Sequence, residues 1–238
     1  NLSLKTLRNT KLSIPSLPEQ QKIADFLTAV DKRIDLLEKK KTLLETYKKG
    51  VMKKIFNQEI RFKDDNGSDF PDWEESSLGK VAQITTGNSN RSDSESFGEF
   101  VFFDRSIDVR MSSTYLLDTE AIIVAGEGSD FIPRYFKGKF GLHQRTYAVY
   151  DFVDSFGKFL FYWIYYFRYF FLKTSVGSTV PSLRMNSFIK FPLSLPCKKE
   201  QFKISQFLSS IDTQIELLET QIDKSNTWKK GLLQKMFV

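Results

Sequence analysis

The stretch Arg134-Tyr135-Phe136-Lys137-Gly138-Lys139-Phe140-Gly141-Leu142-His143-Gln144-Arg145-Thr146 alternates cations with aromatics and turn glycines, then offers Gln and Arg. Gln and Arg pair bidentately with the edges of adenine and guanine in a major groove, whereas a lysine against a phosphate holds a duplex without reading it. Arg134, Lys137, Lys139, His143, Gln144, Arg145 and Thr146 are therefore candidate contacts to DNA. Ser178, Thr179, Arg184 and Asn186 form a second polar loop. Gly87-Asn88-Ser89-Asn90-Arg91 is a third, and Arg91 is its candidate contact. The alternative for each is a solvated loop.

No catalytic machinery accompanies these side chains. The sequence has no Asn-Pro-Pro-Tyr motif for amino methylation, no P-loop, no glycine-rich turn suited to S-adenosylmethionine, and no His-x-Glu or Cys cluster for a metal. Gly126-Glu127-Gly128 is too short to count as such a turn. His143, the sole histidine, has no evident triad partners, and a lone His is more often structural than a nucleophile's base. Cys197, the sole cysteine, excludes an intramolecular disulfide and a thiolate metal site. A reducing cytoplasm is its natural setting. The expectation is a chain that is not an enzyme and takes no cofactor or metal.

The formal charge is +6 and the pI about 9.2, but the distribution says more than the sum. Residues 71–130 carry four Lys or Arg against twelve Asp or Glu, and residues 131–198 carry ten against two. If that division survives folding, one surface attracts a polyanion and the other repels it, which would orient a duplex on approach.

The elements that must position these loops are announced by a repeat. Displaced by 181 positions, Pro15, Glu19, Gln20, Lys22, Ile23, Phe26 and Leu27 fall on Pro196, Glu200, Gln201, Lys203, Ile204, Phe207 and Leu208. The match runs on without a gap through Asp31, Ile34, Leu36, Leu37 and Glu38 to Lys48-Lys49-Gly50 and Phe56, against Lys229-Lys230-Gly231 and Phe237. That spacing is too long for a solenoid array. It describes two copies of one element with a domain between them.

Each copy reads as one long helix. Ile23, Val30, Leu37, Leu44 and Val51 recur every seven residues, with Phe26, Ile34, Tyr47 and Ile55 beside them. The second copy gives Ile204, Ile211, Leu218, Ser225 and Leu232, flanked by Phe207, Ile215, Ile222 and Trp228. Such a helix would be about 55 Å long and too narrow-faced to stand alone. Its expected partner is the other copy, antiparallel, with pairing through Ile23, Val30, Leu37, Leu44, Val51, Ile204, Ile211, Leu218 and Leu232; the alternative is a stalk that only dimerises. The expected fold class is α+β: one globular mixed α/β domain plus two long amphipathic helices forming an antiparallel coiled coil.

Between the copies, residues 57–72 read as a turn-rich connector. Val81 to Thr86, Phe100 to Phe103, Ala121 to Ala125 and Arg145 to Tyr150 read as strands. Phe156 to Leu172 is apolar nearly all round at helical spacing, which predicts a buried helix rather than an exposed aromatic platform for bases or sugars. Its longest apolar run is nine residues, short of the ~20 that a bilayer demands, so no membrane partner is expected. Residues 1–18 align with residues 182–199, the closing segment of the central domain, so Leu12-Ser13-Ile14-Pro15 reads as the last strand of an earlier domain, stopped by Pro15 and Pro18.

An opening Pro15-Ser16-Leu17-Pro18-Glu19-Gln20-Gln21-Lys22-Ile23, a domain of about 130 residues and a second such helix resemble the specificity subunit of type I restriction-modification systems. Arg61-Phe62-Lys63-Asp64 through Phe70-Pro71-Asp72-Trp73-Glu74 to Leu78-Gly79 is similar to the way recognition domains of that family begin. The resemblance implies a non-catalytic subunit that reads one half of a split double-stranded DNA target. It implies docking of modification (methyltransferase) subunits on the helices and, through them, of motor-nuclease subunits. It divides the chain into a residual tail of a first recognition domain (1–18), a first helix (19–56), the connector (57–72), a target-recognition domain (73–197) and a second helix (198–238). With only one recognition domain, self-association through the helices is also expected. The reading from another class is a coiled-coil adaptor whose aromatic domain binds protein or glycan.

Overall fold

The computed structural model describes residues 8–9, 14–106 and 108–236. The two long helices are α1, Leu17–Phe56, and α6, Lys198–Met236. Both open on the same local device. The Gln20 side-chain amide donates to the Pro15 carbonyl at 2.7 Å, and that of Gln201 donates to the Pro196 carbonyl at 2.9 Å. The repeated proline and glutamine thus fix how the chain turns into each helix. Pro18, expected to stop a strand, sits in the first turn of α1, where its missing N–H costs nothing. Leu12 and Ser13 of the expected first strand, and Phe237, lie outside the described residues.

Contacts divide the chain into two compact units, residues 1–47 with 212–238, and residues 48–211. In the first, α1 and α6 run antiparallel: Phe26 meets Trp228 edge-on at 6.0 Å, Asp31 pairs with Lys229, and Lys41 pairs with Glu219 at 2.7 Å. Ile34 and Leu218 are its buried apolar residues. The covered stripe differs slightly from expectation. Leu27 and Lys41 fall on it, while Phe26, Tyr47 and Trp228 are about half exposed. A stripe advancing by three and four residues passes through positions 27, 34 and 41, one place on from the aromatic at 26.

The second unit is built on a six-stranded sheet. Its strands are β2 (Gln83–Thr86), β3 (Phe100–Phe103), β4 (Arg110–Ser112), β5 (Leu117–Ala125), β6 (Arg134–Leu142) and β7 (Thr146–Tyr150), in the order β2-β7-β5-β6-β3-β4. Every pairing is antiparallel except that of β3 with β6. A separate antiparallel pair, β1 (Glu74–Ser77) with β8 (Pro192–Leu195), joins the start of the domain to its end. The short helices are α2 (Leu78–Val81), α3 (Gly157–Phe167), α4 (Tyr169–Thr174) and α5 (Met185–Ile189).

Burial explains the placement of the aromatic block. Phe159, Leu160, Tyr162, Trp163 and Ile164 of α3 are buried. Phe56, at the end of α1, meets the rings of Phe159, Trp163, Tyr166 and Phe167 at 5.3 to 6.3 Å. Trp73 closes on Phe159 and Trp163. The buried Glu200, near the start of α6, accepts from Arg61 at 2.7 and 3.2 Å and from the Trp73 indole at 3.1 Å. One carboxylate near a helix N-terminus thereby anchors the connector.

Two expectations fail here. The stretch from Arg134 to Leu142 is not a loop but strand β6. Phe140 and Leu142 point into a core with Phe103, Ala121, Ile123 and Ala148, and Phe136 packs against it. Its period of two was masked by Gly138 and Gly141, which read as turns. The division of charge does not survive folding either. Strand β5, from the acidic half, lies between β6 and β7 from the basic half, and Glu127 and Asp130 pair with Arg145 and Arg168.

Candidate nucleic-acid interface

Five connections of the second unit meet side by side. Asn90 Oδ1 accepts from the Gln144 amide at 2.8 Å, and the Ser89 carbonyl accepts from the Gln144 N–H at 2.9 Å. These bonds tie the loop after β2 to the β6–β7 connection. A Cβ at Gly87 would stand 1.8 Å from the Leu142 carbonyl oxygen, so only glycine allows the approach. Arg91 reaches Asp104 at 3.6 Å, which brings in the loop after β3. Arg105 of that loop and Arg145 of the β6–β7 connection each donate to one carboxylate oxygen of Glu127, in the β5–β6 loop. The segment before α5 joins through Leu183 N–H to Gly126 O at 2.7 Å and Gly128 N–H to Pro181 O at 3.1 Å.

Three of them, the β5–β6 loop, the β6–β7 connection and the segment before α5, line a polar cavity of about 250 Å³ with Glu127, Gln144, Arg145, Tyr147, Ser182 and Arg184 among its residues. Burial pushes the Glu127 carboxyl up, but hydrogen bonds from Arg105 and Arg145 outweigh it and hold the group below the usual carboxylate range. Asp104 follows the same pattern: burial opposes ionisation, while Ser106, Arg91 and Arg110 more than restore it. Burial, then the nearby Arg105, pushes the His143 imidazole down, and its Nδ1 accepts the Arg145 N–H at 3.0 Å. The cluster is a scaffold of fixed anions that holds arginines at its rim. Such a rim offers donors to phosphates and to base edges.

The structure sorts the expected residues. Arg91, Gln144 and Arg145 are exposed and joined in this cluster, and Ser178, Thr179, Arg184 and Asn186 are exposed on or next to its fifth segment. Thr146 is fully buried in β7 and cannot touch a duplex. His143 is also buried and spends Nδ1 on the backbone, which makes it a support for the loop rather than a contact. Arg134 is turned inward: it donates to the carbonyls of Asp104 and Ser106 at 2.9 and 3.0 Å and lies 4.8 Å over the Phe103 ring. Lys137 and Lys139 are exposed along β6, opposite Glu120 and Asp118 in the register, and the Lys139 ammonium lies 4.9 Å over the Tyr115 ring.

Reading the sequence missed Arg105, Asp104 and Glu127. All three lie in the acidic half; Glu127 joins Arg105 across 22 residues and Arg145 across 18, while Asp104 binds Ser106, Arg91 and Arg110 nearby, so no local motif marks the three as one cluster. The available signal was Gly126-Glu127-Gly128. A Cβ at Gly126 would stand 2.6 Å from the Arg145 carbonyl oxygen, so that glycine seats Glu127 against the β6–β7 connection.

Comparison with known proteins places this arrangement. The family described as the type I restriction modification DNA specificity domain matches residues 1–46 and 71–225. The EcoDI type I restriction enzyme specificity subunit of Escherichia coli is 27% identical over 161 residues, covering 64% of this chain and 34% of that protein. The MjaVIII specificity subunit of Methanocaldococcus jannaschii is 26% identical over 261 residues, covering 96% of this chain and 61% of that protein. The chain therefore spans between a third and about three-fifths of these relatives. The S subunit of a type I restriction-modification system from M. genitalium shares the fold, with a TM-score of 0.73 at 16% identity over 100% of this chain and 66% of that one. By the extent of the family match, the chain belongs to the type I restriction modification DNA specificity family.

Proposed function

We propose that this chain is a non-catalytic subunit of a type I restriction-modification complex that reads one half of a split double-stranded DNA target through the five-loop cluster. The observation that carries the reading is that Arg91, Arg105, Gln144, Arg145 and Arg184, drawn from four separate loops, converge on one polar surface. The burial of Phe159, Leu160, Tyr162, Trp163 and Ile164 commits most of the aromatic block to the core, which speaks against its use as a platform for a glycan or protein. Among the described residues no helix is long and apolar enough to cross a membrane. A cytoplasmic setting follows from DNA as the partner.

The helices are proposed to dock the modification subunits, and through them the motor-nuclease subunits. Leu36 and Leu217 occupy equivalent positions in the two copies and are each 57% exposed; Tyr47 and Trp228 are likewise equivalent and each 53% exposed. Apolar side chains exposed in equivalent pairs suit two copies of one partner. The same residues would serve self-association of the chain where no modification subunit is present.

A mobility-shift titration over salt concentrations, with modification subunits present, tests the reading. Binding is expected to weaken linearly in log salt, and Arg145→Ala to cost about tenfold or more in affinity for the preferred duplex. Binding that ignores salt, or that is unchanged by Arg145→Ala, contradicts it.

A further inference from the structure

Glu127 is the carboxylate that joins Arg105 and Arg145 in the arginine rim, as Asp104 joins Arg91 and Arg110. Its side chain is 11% exposed, whereas Arg105 and Arg145, which it holds, are 46% and 61% exposed. Its backbone is fixed on both sides, by Gly126 against Arg145 and by a bridge to Ser182. A carboxylate so placed does two things. It holds each guanidinium through one oxygen, so that the N–H groups not bonded to it remain as donors on two side chains that are 46% and 61% exposed. It also puts a negative charge under the rim, where a phosphate would otherwise collect both arginines.

We propose that Glu127 is a specificity-determining positioning residue: it withholds Arg105 and Arg145 from phosphates and presents Arg145 to a guanine edge. The inference rests on the DNA-reading role proposed above. A guanine offers two acceptors, O6 and N7, in a plane that a restrained guanidinium matches, whereas a phosphate accepts from an arginine in many orientations. Loss of the carboxylate would therefore act in opposite directions on the two kinds of binding. A residue needed only to hold the loops would weaken both when removed.

The test uses the chain with modification subunits and a pool of duplexes with a randomised core. The most enriched duplex and a scrambled duplex of equal length are then titrated with the parent chain and with Glu127→Gln. The expected result is that the variant binds the scrambled duplex about threefold to tenfold more tightly. The ratio between enriched and scrambled duplexes should narrow at least tenfold, mainly at guanine positions. Arg105→Gln is the second variant, informative even if Glu127→Gln misfolds: it should narrow the ratio while weakening the scrambled duplex. An unchanged ratio in both variants overturns the inference and leaves DNA reading intact. A parent chain that enriches no duplex overturns the DNA-reading role and the inference with it.

Discussion

His143 shows what a buried residue can contribute beside a binding surface without touching a ligand. It is the only histidine, is buried among Arg105, Arg145, Asp104 and Glu127, and has a folded pKa below its ordinary 6.5. Above that pH both folded and unfolded chains hold it neutral. Below it the unfolded chain takes up the proton more readily, so stability falls as the solution is acidified. Asp104 and Glu127, held below their ordinary values, contribute stability that is lost only in stronger acid, as pH falls through the carboxylate range. Urea midpoints at pH 7.5 and 5.5 should therefore drop for the parent chain and stay closer together for His143→Gln; equal drops would contradict this. The sequence shows His143 as a lone polar residue among basic neighbours. Its burial depends on the distant loop after β2, whose Ser89 bridges to it, and on the loops that carry Arg105 and Glu127, which no local pattern reveals.

Among the elements, the two helix openings carry the same residues in different surroundings. Glu200 is fully buried and takes three hydrogen bonds from Arg61 and Trp73, whereas Glu19, its equivalent in the first copy, is exposed. Glu200→Ala should destabilise the second unit by about 2–3 kcal/mol in urea unfolding. That is the low end for breaking a buried pair, because Arg61 keeps the carbonyls of Phe70 and Pro71. Glu19→Ala should change stability by no more than about 0.5 kcal/mol. Equal losses at the two sites would show that the anchor plays no such part. The helices were legible in the sequence because a repeat and a seven-residue spacing leave few other solutions. Strand β6 was not, since Gly138 and Gly141 interrupt the alternation of Phe136, Phe140 and Leu142, and it takes the pairing with β5 and β3 to show it. The three polar loops could be seen one by one, but not their meeting, which the sheet order decides.

At the scale of the molecule, charge is arranged by topology rather than by sequence order. The sheet order sets Asp118 and Glu120 of β5 opposite Lys139 and Lys137 of β6, pairs Glu127 and Asp130 with Arg145 and Arg168, and leaves the arginine rim where the loops meet. The central claim is that this rim, rather than the β6 lysines or the helices, meets the duplex. Hydrogen exchange of the chain with modification subunits, with and without a selected duplex, tests it most directly. The account predicts that duplex slows exchange in residues 87–94, 104–106, 126–130, 143–145 and 176–184, and leaves Lys137 to Lys139 and the outer turns of α1 and α6 unchanged. Protection confined to β6 or to the helices, with the five loops exchanging as before, would contradict it.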